Sequence, residues 1–421
     1  PMRAHHPGEG QGTRPSVTEH LERVLSLAHP RVERDVPLDA AAGLVLASDV
    51  SAALAVPPFD NSAVDGFAVH ASDLPAPGPW TLPVAGDVPA GSPALACPAG
   101  HAIRVMTGAP VDGADSDLIV VPVEQTSIPR GPHPLPQHVT INEADTSRSH
   151  IRRAGENVRP GTRIASRGTL CDAPTLAACV STGIRTVDVF AAPRIAVVST
   201  GSELVPWPGA VSGPQIPDSN LPMLAELAAA ATGHRGTVQR FHANDAATDA
   251  ADLLARAAAS SDLVITSGGV SAGAFDVVRA VAEDEASGSM WFGHVAQRPG
   301  SPQGAGTFRG TPMVCLPGNP VAAYVSFVLY AAPLIAAHAG RTDRLRLAER
   351  PRVVAERAPG FPSTSRPDTT FAVPVRLRYD GDRAVAEPFS AATSSSFVAS
   401  LAGVDGLAVV DKHSGPVHVY L

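Results

Sequence analysis

Three short turns built from glycines and hydroxyl side chains carry the chemistry available to this sequence. Thr200-Gly201-Ser202-Glu203 follows the apolar run Ile195–Ser199. Ser267-Gly268-Gly269-Val270-Ser271-Ala272-Gly273 follows Leu263–Thr266, and Pro317-Gly318-Asn319-Pro320 follows Met313–Leu316. Glycines let backbone amides come close to a ligand, and a turn that opens a helix favours an anion. Any one of these turns is ordinary strand-to-helix connection. Three of them on one sheet edge describe a site for a phosphate-rich ligand. Carboxylates mark the same edge: Glu203, Asp218, Asp245 and Asp276. Beside a phosphate they would repel it, and a Mg²⁺ ion resolves the conflict by bridging carboxylate and phosphate oxygens. For Asp218 a helix cap is an equally simple role.

Two other segments could act. Gly269-Val270-Ser271-Ala272-Gly273 fits the G-x-S-x-G pattern of a nucleophile elbow, with His294 and His338 downstream, so a serine hydrolase using Ser271 is a rival reading. Gly268-Gly269 between strand and serine loosens the sharp turn that an elbow needs. Pro57-Pro58-Phe59-Asp60-Asn61-Ser62-Ala63-Val64-Asp65-Gly66-Phe67-Ala68 is too long and too polar for a hairpin turn between apolar neighbours. No P-loop pattern and no zinc-spaced His/Cys cluster occurs.

The elements that must position these residues alternate between strand and helix from Arg194 onward. Helices are expected at Pro222–Ala231, Ala246–Ala259, Phe275–Asp284 and Val321–Ala337, with a further strand at Gly236–Phe241. Strands separated by helices of that length imply parallel βαβ units and a doubly wound α/β sheet. Residues 190–340 form this domain. Residues 52–147, short apolar runs cut by Pro and Gly, read as a β-rich insertion. They interrupt a first domain made of 16–51 and 148–189, in which Ser16 and Glu19 form a capping box. Residues 341–421 return to alternating strands, a C-terminal β domain, and residues 1–15 read as a disordered tail.

The chain has 421 residues, 44% of them hydrophobic and 17% charged, enough to bury sizeable cores in two to four domains. A formal net charge of −8 and the lack of a basic stripe argue against nucleic-acid binding. Nearly all positive charge is arginine; Lys412 is the single lysine. Four cysteines at 97, 171, 179 and 315 form neither a C-x-x-C pair nor a regular framework. No apolar run of about 18 residues suggests a membrane span. The expectation is a soluble, cytoplasmic protein.

The polar segment at 57–68 resembles the PPFDNSAMDGYA motif of the MoeA/gephyrin E-domain family, the molybdopterin molybdenumtransferases. The resemblance continues in order: Arg104–Ala109 with RIMTGA, Gly155–Val158 with GEDV, Ser199–Leu204 with STGDEL, Gln215–Asn220 with GQIYDSN, Ser267–Asp276 with SGGVSxGxxD, and Leu316–Pro320 with LPGNP. It implies a split, helical first domain around the β insertion, a three-layer α/β domain and a C-terminal β-barrel-like domain. It also implies a homodimer whose cleft is completed by the partner's insertion. The implied reaction inserts molybdate into adenylylated molybdopterin with release of AMP, giving molybdenum cofactor. Mg²⁺ is the implied cofactor, and a molybdopterin adenylyltransferase a possible partner protein.

Carried onto this sequence, the catalytic positions are Asp60, Thr107, Glu203, Asp245 and Asp276, with Asp276, Glu203 and Asp245 as metal ligands. The binding set is Ser267, Gly268, Gly269, Ser271, Gly273, Pro317, Gly318, Asn319 and Ser395, with His294, Arg298 and Ser301. These last three stand where the family pattern WKxxxKPGKP has lysines. A catalytically weakened paralogue that binds pterin or acts as a scaffold is therefore a second reading. Since a histidine is cationic only near or below its ordinary pKa of about 6.5, molybdate use through His294 is expected to weaken as the pH rises from about 6 to 8.

Overall fold

The computed structural model describes residues 14–243, 247–270, 277–283, 287–362, 368–389, 394–410 and 415–421. The chain forms two compact units. One comprises residues 35–42 and 48–187, the other residues 1–34, 43–47 and 188–421.

The unit spanning 35–42 and 48–187 is built on a five-stranded sheet. Its strands are β1 (Gly66–His70), β2 (Trp80–Val88), β3 (Ala102–Val105), β4 (Leu118–Pro122) and β5 (His138–Ile141), in the order β4-β1-β3-β2-β5. Residues alternate between two apolar cores. Phe67, Val69, Ile119 and Val121 point into one, Ala68, Val120, Ile103 and Val105 into the other. Within residues 52–147, expected to be β-rich, the strands form a sheet with an apolar core on each face and partly exposed outer strands. The flanking segments, expected to be helical, carry one α-helix in this unit, Ala173–Ser181, capped by Asp172.

The second unit holds the doubly wound domain. Its sheet contains β6 (Arg194–Thr200), β7 (Thr237–Ala243), β8 (Leu263–Ser267), β9 (Gly288–His294), β10 (Pro302–Phe308) and β11 (Thr311–Leu316), in the order β7-β6-β8-β11-β10-β9. The first four are parallel. β10 then runs antiparallel between β11 and β9, an edge that the sequence pattern did not reveal. Their glycines explain why they read as loops: a side chain at Gly306 would lie 2.0 Å from the Ser289 carbonyl oxygen, so the strands can pair only without one.

Each parallel strand alternates its side chains between two helical layers. Ile195, Val197, Leu263, Ile265 and Val314 pack with Leu224 of the helix Asn220–Ala231 and with Leu329 and Leu334 of the long C-terminal helix. Ala196, Val198, Val264 and Met313 pack with Leu254 and Val278 on the opposite face. Both faces are therefore covered, as a parallel sheet requires. The helix Pro320–His338, interrupted by a π-turn at Phe327–Ala331, is long and apolar enough to cross a membrane by length and composition, but it is largely buried in this core.

The helix Val17–Leu25 joins the same core through Val17, Leu21 and Val24. Ser16 caps it as expected: its hydroxyl accepts the Glu19 N–H at 3.2 Å while the Glu19 carboxylate accepts the Ser16 N–H at 2.7 Å. Of the expected tail, residues 1–13 lie outside the described residues. Pro15 is fastened, its carbonyl accepting the Ala296 N–H at 2.8 Å.

The C-terminal strands Arg352–Arg357, Thr370–Asp380, Arg383–Pro388, Gly406–Val410 and Val417–Tyr420 close on themselves. Thr370–Asp380 pairs with both Arg383–Pro388 and Gly406–Val410, which makes a closed five-stranded barrel around Phe371, Val373, Val375, Ala408 and Val419.

His20 is fully buried between Trp291 and Tyr330, with ring centroids 5.1 and 4.6 Å away. Burial first, and the neighbouring Arg23 charge second, push its imidazole down to about 3. It stays neutral in the folded chain, whereas an unfolded histidine takes up a proton near pH 6.5. Its contribution is therefore fully present above that pH and is lost progressively as pH falls toward 3, about 1.4 kcal/mol at pH 5.5. Urea unfolding at pH 7.5 and 5.5 should show this loss, and His20→Phe should lack that component of the pH dependence.

Candidate functional site

The carboxyl ends of β6, β8 and β11 open into a cleft of about 870 Å³. The sequence fixes its floor through one constraint, close backbone approach. Gly268 has φ +92°, and a Cβ there would lie 2.8 Å from the Thr200 carbonyl oxygen. A Cβ on Gly318 would come within 3.4 Å of the Gly268 Cα. Two turns that touch through bare backbone present their amides without intervening side chains.

Asn220, at the start of its helix, fastens these turns. Its amide donates to Ser267 Oγ at 2.7 Å and to the Gly318 carbonyl at 2.6 Å, while Ser267 Oγ donates to the Pro317 carbonyl at 3.3 Å. Asn220 Oδ1 is buried and has no partner among the described residues. Below it lies a second buried cluster. Asp218, 2% exposed, accepts from the Ser199 hydroxyl through Oδ2 and from the Leu221 N–H at 3.0 Å through Oδ1. His242 Nδ1 stands 3.1 Å from Ser199 Oγ and 3.6 Å from Asp218. Asp218 is thus the cap of its helix and a tie between strand ends rather than a free carboxylate in the cleft.

Of the expected site residues, Glu203, Ser267, Gly268, Gly269, Pro317, Gly318, Asn319 and Ser395 line this cleft. Glu203 is exposed on its wall. Asn319 donates through Nδ2 to Ser395 Oγ at 2.9 Å, joining the third turn to the barrel loop. Asp245, Ser271, Gly273 and Asp276 lie outside the described residues. His338, a histidine that the hydrolase reading would draw on, is buried with Nδ1 accepting the His29 N–H at 3.3 Å and lines no part of the cleft.

Arg298 and Ser301 line an adjoining cavity of about 480 Å³, which shares Gly300 and Ser395 with the first. Their loop is held from beneath by a buried polar network. Tyr330 donates to Gln297 Oε1, Gln297 Nε2 donates to the Pro299 carbonyl at 3.0 Å, and Gln303 Nε2 donates to the Gly300 carbonyl at 2.7 Å and to Ser326 Oγ at 2.6 Å. His294 is exposed, stands 3.4 Å from Ser301 Oγ and is not among the residues that line either cavity.

Asp60 and Thr107 belong to the other unit, where each is engaged. Asp60 accepts the Ala154 N–H at 2.6 Å and the Arg153 guanidinium at 2.7 Å. Burial pushes its carboxyl up, but these two bonds outweigh it and hold the carboxyl below its ordinary value. Thr107 donates its N–H at 2.6 Å and its hydroxyl at 2.8 Å to Asp65, and the same bonds hold the Asp65 carboxyl low. Thr107 and Asp65 line a cleft of about 760 Å³ with Arg104; Asp60 does not. Sequence reasoning missed Asn220 as the fastener and Asp65 as the partner of Thr107. The signal lay in the motifs, since both are polar residues with no place in the local periodicity.

Comparison with known proteins agrees with this layout. Residues 15–183 match the family model for the MoeA N-terminal region (domains I and II), and residues 196–337 match that of a probable molybdopterin binding domain. The molybdopterin molybdenumtransferase 2 of Mycobacterium tuberculosis is 41% identical over 341 residues, covering 79% of this chain and 81% of its own. The Haemophilus influenzae molybdopterin molybdenumtransferase is 35% identical over 315 residues, 74% of each chain. A crystal structure of the molybdopterin biosynthesis MoeA protein from Pyrococcus horikosii superposes with a TM-score of 0.75 at 26% identity, covering 97% of this chain and 99% of that one.

Gly268→Ala should lower folding stability by about 1–3 kcal/mol, because it forces a side chain into the left-handed region against a carbonyl. Urea unfolding measures it, and an unchanged midpoint would show that the turn can relax away from Thr200.

Proposed function

The chain belongs to the molybdopterin molybdenumtransferase (MoeA) family, and from that we propose that it inserts molybdenum from molybdate into adenylylated molybdopterin, releasing AMP, in molybdenum cofactor biosynthesis. The observation that carries this reading is the cleft of about 870 Å³ in which three glycine-bearing turns meet and Asn220 fastens two of them. The Gly268 N–H is used by the Leu316 carbonyl at 3.1 Å, so the donors for phosphate oxygens in this reading are the backbone amides of Gly269, Val270, Gly318 and Asn319 on the cleft lining, and Asn319 and Ser395 add polar side chains at the rim. The unpartnered Asn220 Oδ1 is an acceptor that a donor on the ligand would satisfy.

Mg²⁺ fits the residues present. The described residues form no cluster of three or more His, Cys, Asp or Glu, so they build no protein cage. Mg²⁺ seldom uses one, taking one or two carboxylates and completing its shell with phosphate oxygens and water. Glu203 on the cleft wall meets that requirement, with Asp245 and Asp276 as further candidates outside the described residues. When bound, the ion would polarise the phosphoanhydride that is cleaved. Glu203 would hold it, the turn amides would orient the phosphates, and Arg298 with Ser301 would receive the oxyanion in the adjoining cavity.

The working molecule in this reading is a homodimer in which the Asp60–Gly66 segment of one subunit completes the cleft of the other, in the cytoplasm, with a molybdopterin adenylyltransferase supplying the substrate. The engagement of Asp60 and Thr107 by Arg153 and Asp65 makes them supports for that segment.

The test is anaerobic incubation with adenylylated molybdopterin, molybdate and Mg²⁺, following AMP. Chelation should stop AMP release, and Glu203→Gln and Asp276→Asn should each slow it by roughly 10²-fold or more. No AMP release by the wild-type chain with substrate bound would favour the scaffold reading instead. Mixing Asp60→Ala with Asp276→Asn should restore partial activity through one intact site per heterodimer. Absence of complementation after confirmed subunit exchange would argue that each subunit works alone.

A further inference from the structure

The cavity that holds Arg298 and Ser301 has a second cation that no sequence motif marks. Arg14 lines it, from the short arm before the helix Val17–Leu25. The arm's position is set by hydrogen bonds. Pro15 O accepts from Ala296 N at 2.8 Å, Ala296 O accepts from Thr370 N at 2.9 Å, and Gln297–Arg298 pairs in parallel with Thr370–Phe371 of the barrel. Arg14 therefore precedes an anchored residue, and Arg298 lies two residues beyond the same anchor.

The charge balance of the cavity is one-sided. Its described lining contains Arg14 and Arg298, the hydroxyls of Ser301, Thr369, Ser394, Ser395 and Ser400, and no carboxylate, in a chain of formal net charge −8. Neither guanidinium makes a hydrogen bond or ion pair among the described residues, whereas many arginines elsewhere do, such as Arg104 with Asp87 at 2.6 Å. Two exposed like charges facing one cavity gain nothing from each other, and a dianion between them gains from both. Each guanidinium fork offers parallel N–H donors at the spacing of two oxygens of a tetrahedral anion.

We propose that Arg14 is an oxyanion-binding residue of the transferase site, supplying from the N-terminal arm the second permanent positive charge that Ser301 does not provide. The inference rests on reading the Arg298–Ser301 cavity as the molybdate subsite. The ligand is a free tetrahedral dianion rather than the phosphate of the bound nucleotide.

The experiment measures binding of molybdate alone, and separately of AMP alone, to the full chain by equilibrium dialysis, together with the molybdate dependence of AMP release. Arg14→Ala should weaken molybdate binding and raise the KM for molybdate by roughly tenfold or more, the loss of one charge-assisted contact. It should leave kcat at saturating molybdate and AMP binding unchanged, and Arg14→Lys should recover part of the affinity. Arg298→Ala serves as the reference for the subsite. If Arg298→Ala loses molybdate and Arg14→Ala does not, Arg14 has no part in a subsite that otherwise stands. If Arg14→Ala weakens AMP but not molybdate, the arm serves the nucleotide and the proposal falls. If the wild-type chain binds no molybdate, or neither variant alters its binding, the subsite reading falls with it.

Discussion

Everything in the nucleotide-sized cleft depends on one carboxamide. Asn220 spends both N–H donors on neighbouring segments, one on Ser267 Oγ at the end of β8 and one on the Gly318 carbonyl in the turn after β11. That choice allows Gly268 and Gly318 to meet backbone to backbone, a contact that offers little apolar burial of its own. Hydrogen bonds inside a buried site are costly to leave unmade, so the pair holds the two turns in register more firmly than their net contribution to stability suggests. Asp218 extends the same device downward. It accepts from Ser199 on β6 and from the first turn of the helix that carries Asn220, so the helix cannot shift without breaking a fully buried contact. The cleft's shape is thus set by side chains whose hydrogen bonds run to the protein, Asn220 through its N–H donors and Asp218 through both carboxylate oxygens.

The antiparallel edge of the sheet explains why a second cavity adjoins the first. A purely parallel sheet would send the chain from β9 back through a helix, as it does from β8 through Val277–Ala282. Here β9 and β10 return as a hairpin, and the Arg298–Ser301 loop between them is pinned at the carboxyl end of the sheet. Gln297, Gln303, Ser326 and Tyr330 hold that loop with hydrogen bonds among residues that are 3% exposed or less. A rigid base matters because guanidinium recognition is geometric, and a loose loop would lose the alignment that two N–H donors provide.

Much of this was legible in the sequence, and the reasons for success and failure are physical. The turns after β6, β8 and β11 announce themselves because glycine, serine and asparagine interrupt apolar runs, and the Ser16–Glu19 capping box is a local device that needs no tertiary information. The helix Asn220–Ala231 was expected two residues late because its capping acceptor, Asp218, lies outside the helix and works through a buried contact with Ser199. The hairpin of β9 and β10 was invisible because Gly304 and Gly306 lower strand propensity, while in the folded sheet they make room for Phe292 and Met290. The second cavity was half legible. Arg298 and Ser301 follow from a motif, but Arg14 reaches the cavity only through the tertiary bond of Pro15 to Ala296, and spacing along the sequence carries no trace of it.

Under the proposed reading, an acidic chain with a single lysine must bind its anions without the usual point charges. The solutions visible here share one feature, fixed donors whose orientation is set elsewhere. In the first cleft they are backbone amides, held by glycine conformation and by Asn220. In the second they are two arginine forks, Arg298 on a strand paired with the barrel and Arg14 on the arm anchored at Ala296. In the other unit, Asp60 and Thr107 follow the same logic from the opposite sign: each reactive group is spent on a neighbour, Asp60 on Arg153 and Ala154, Thr107 on Asp65. A carboxylate held below its ordinary value by such bonds is a poor proton donor or acceptor near neutral pH, because it remains ionised throughout that range. Through its bonds to Arg153 and Ala154, Asp60 also fixes the shape of the loop that carries Phe59 and Asn61.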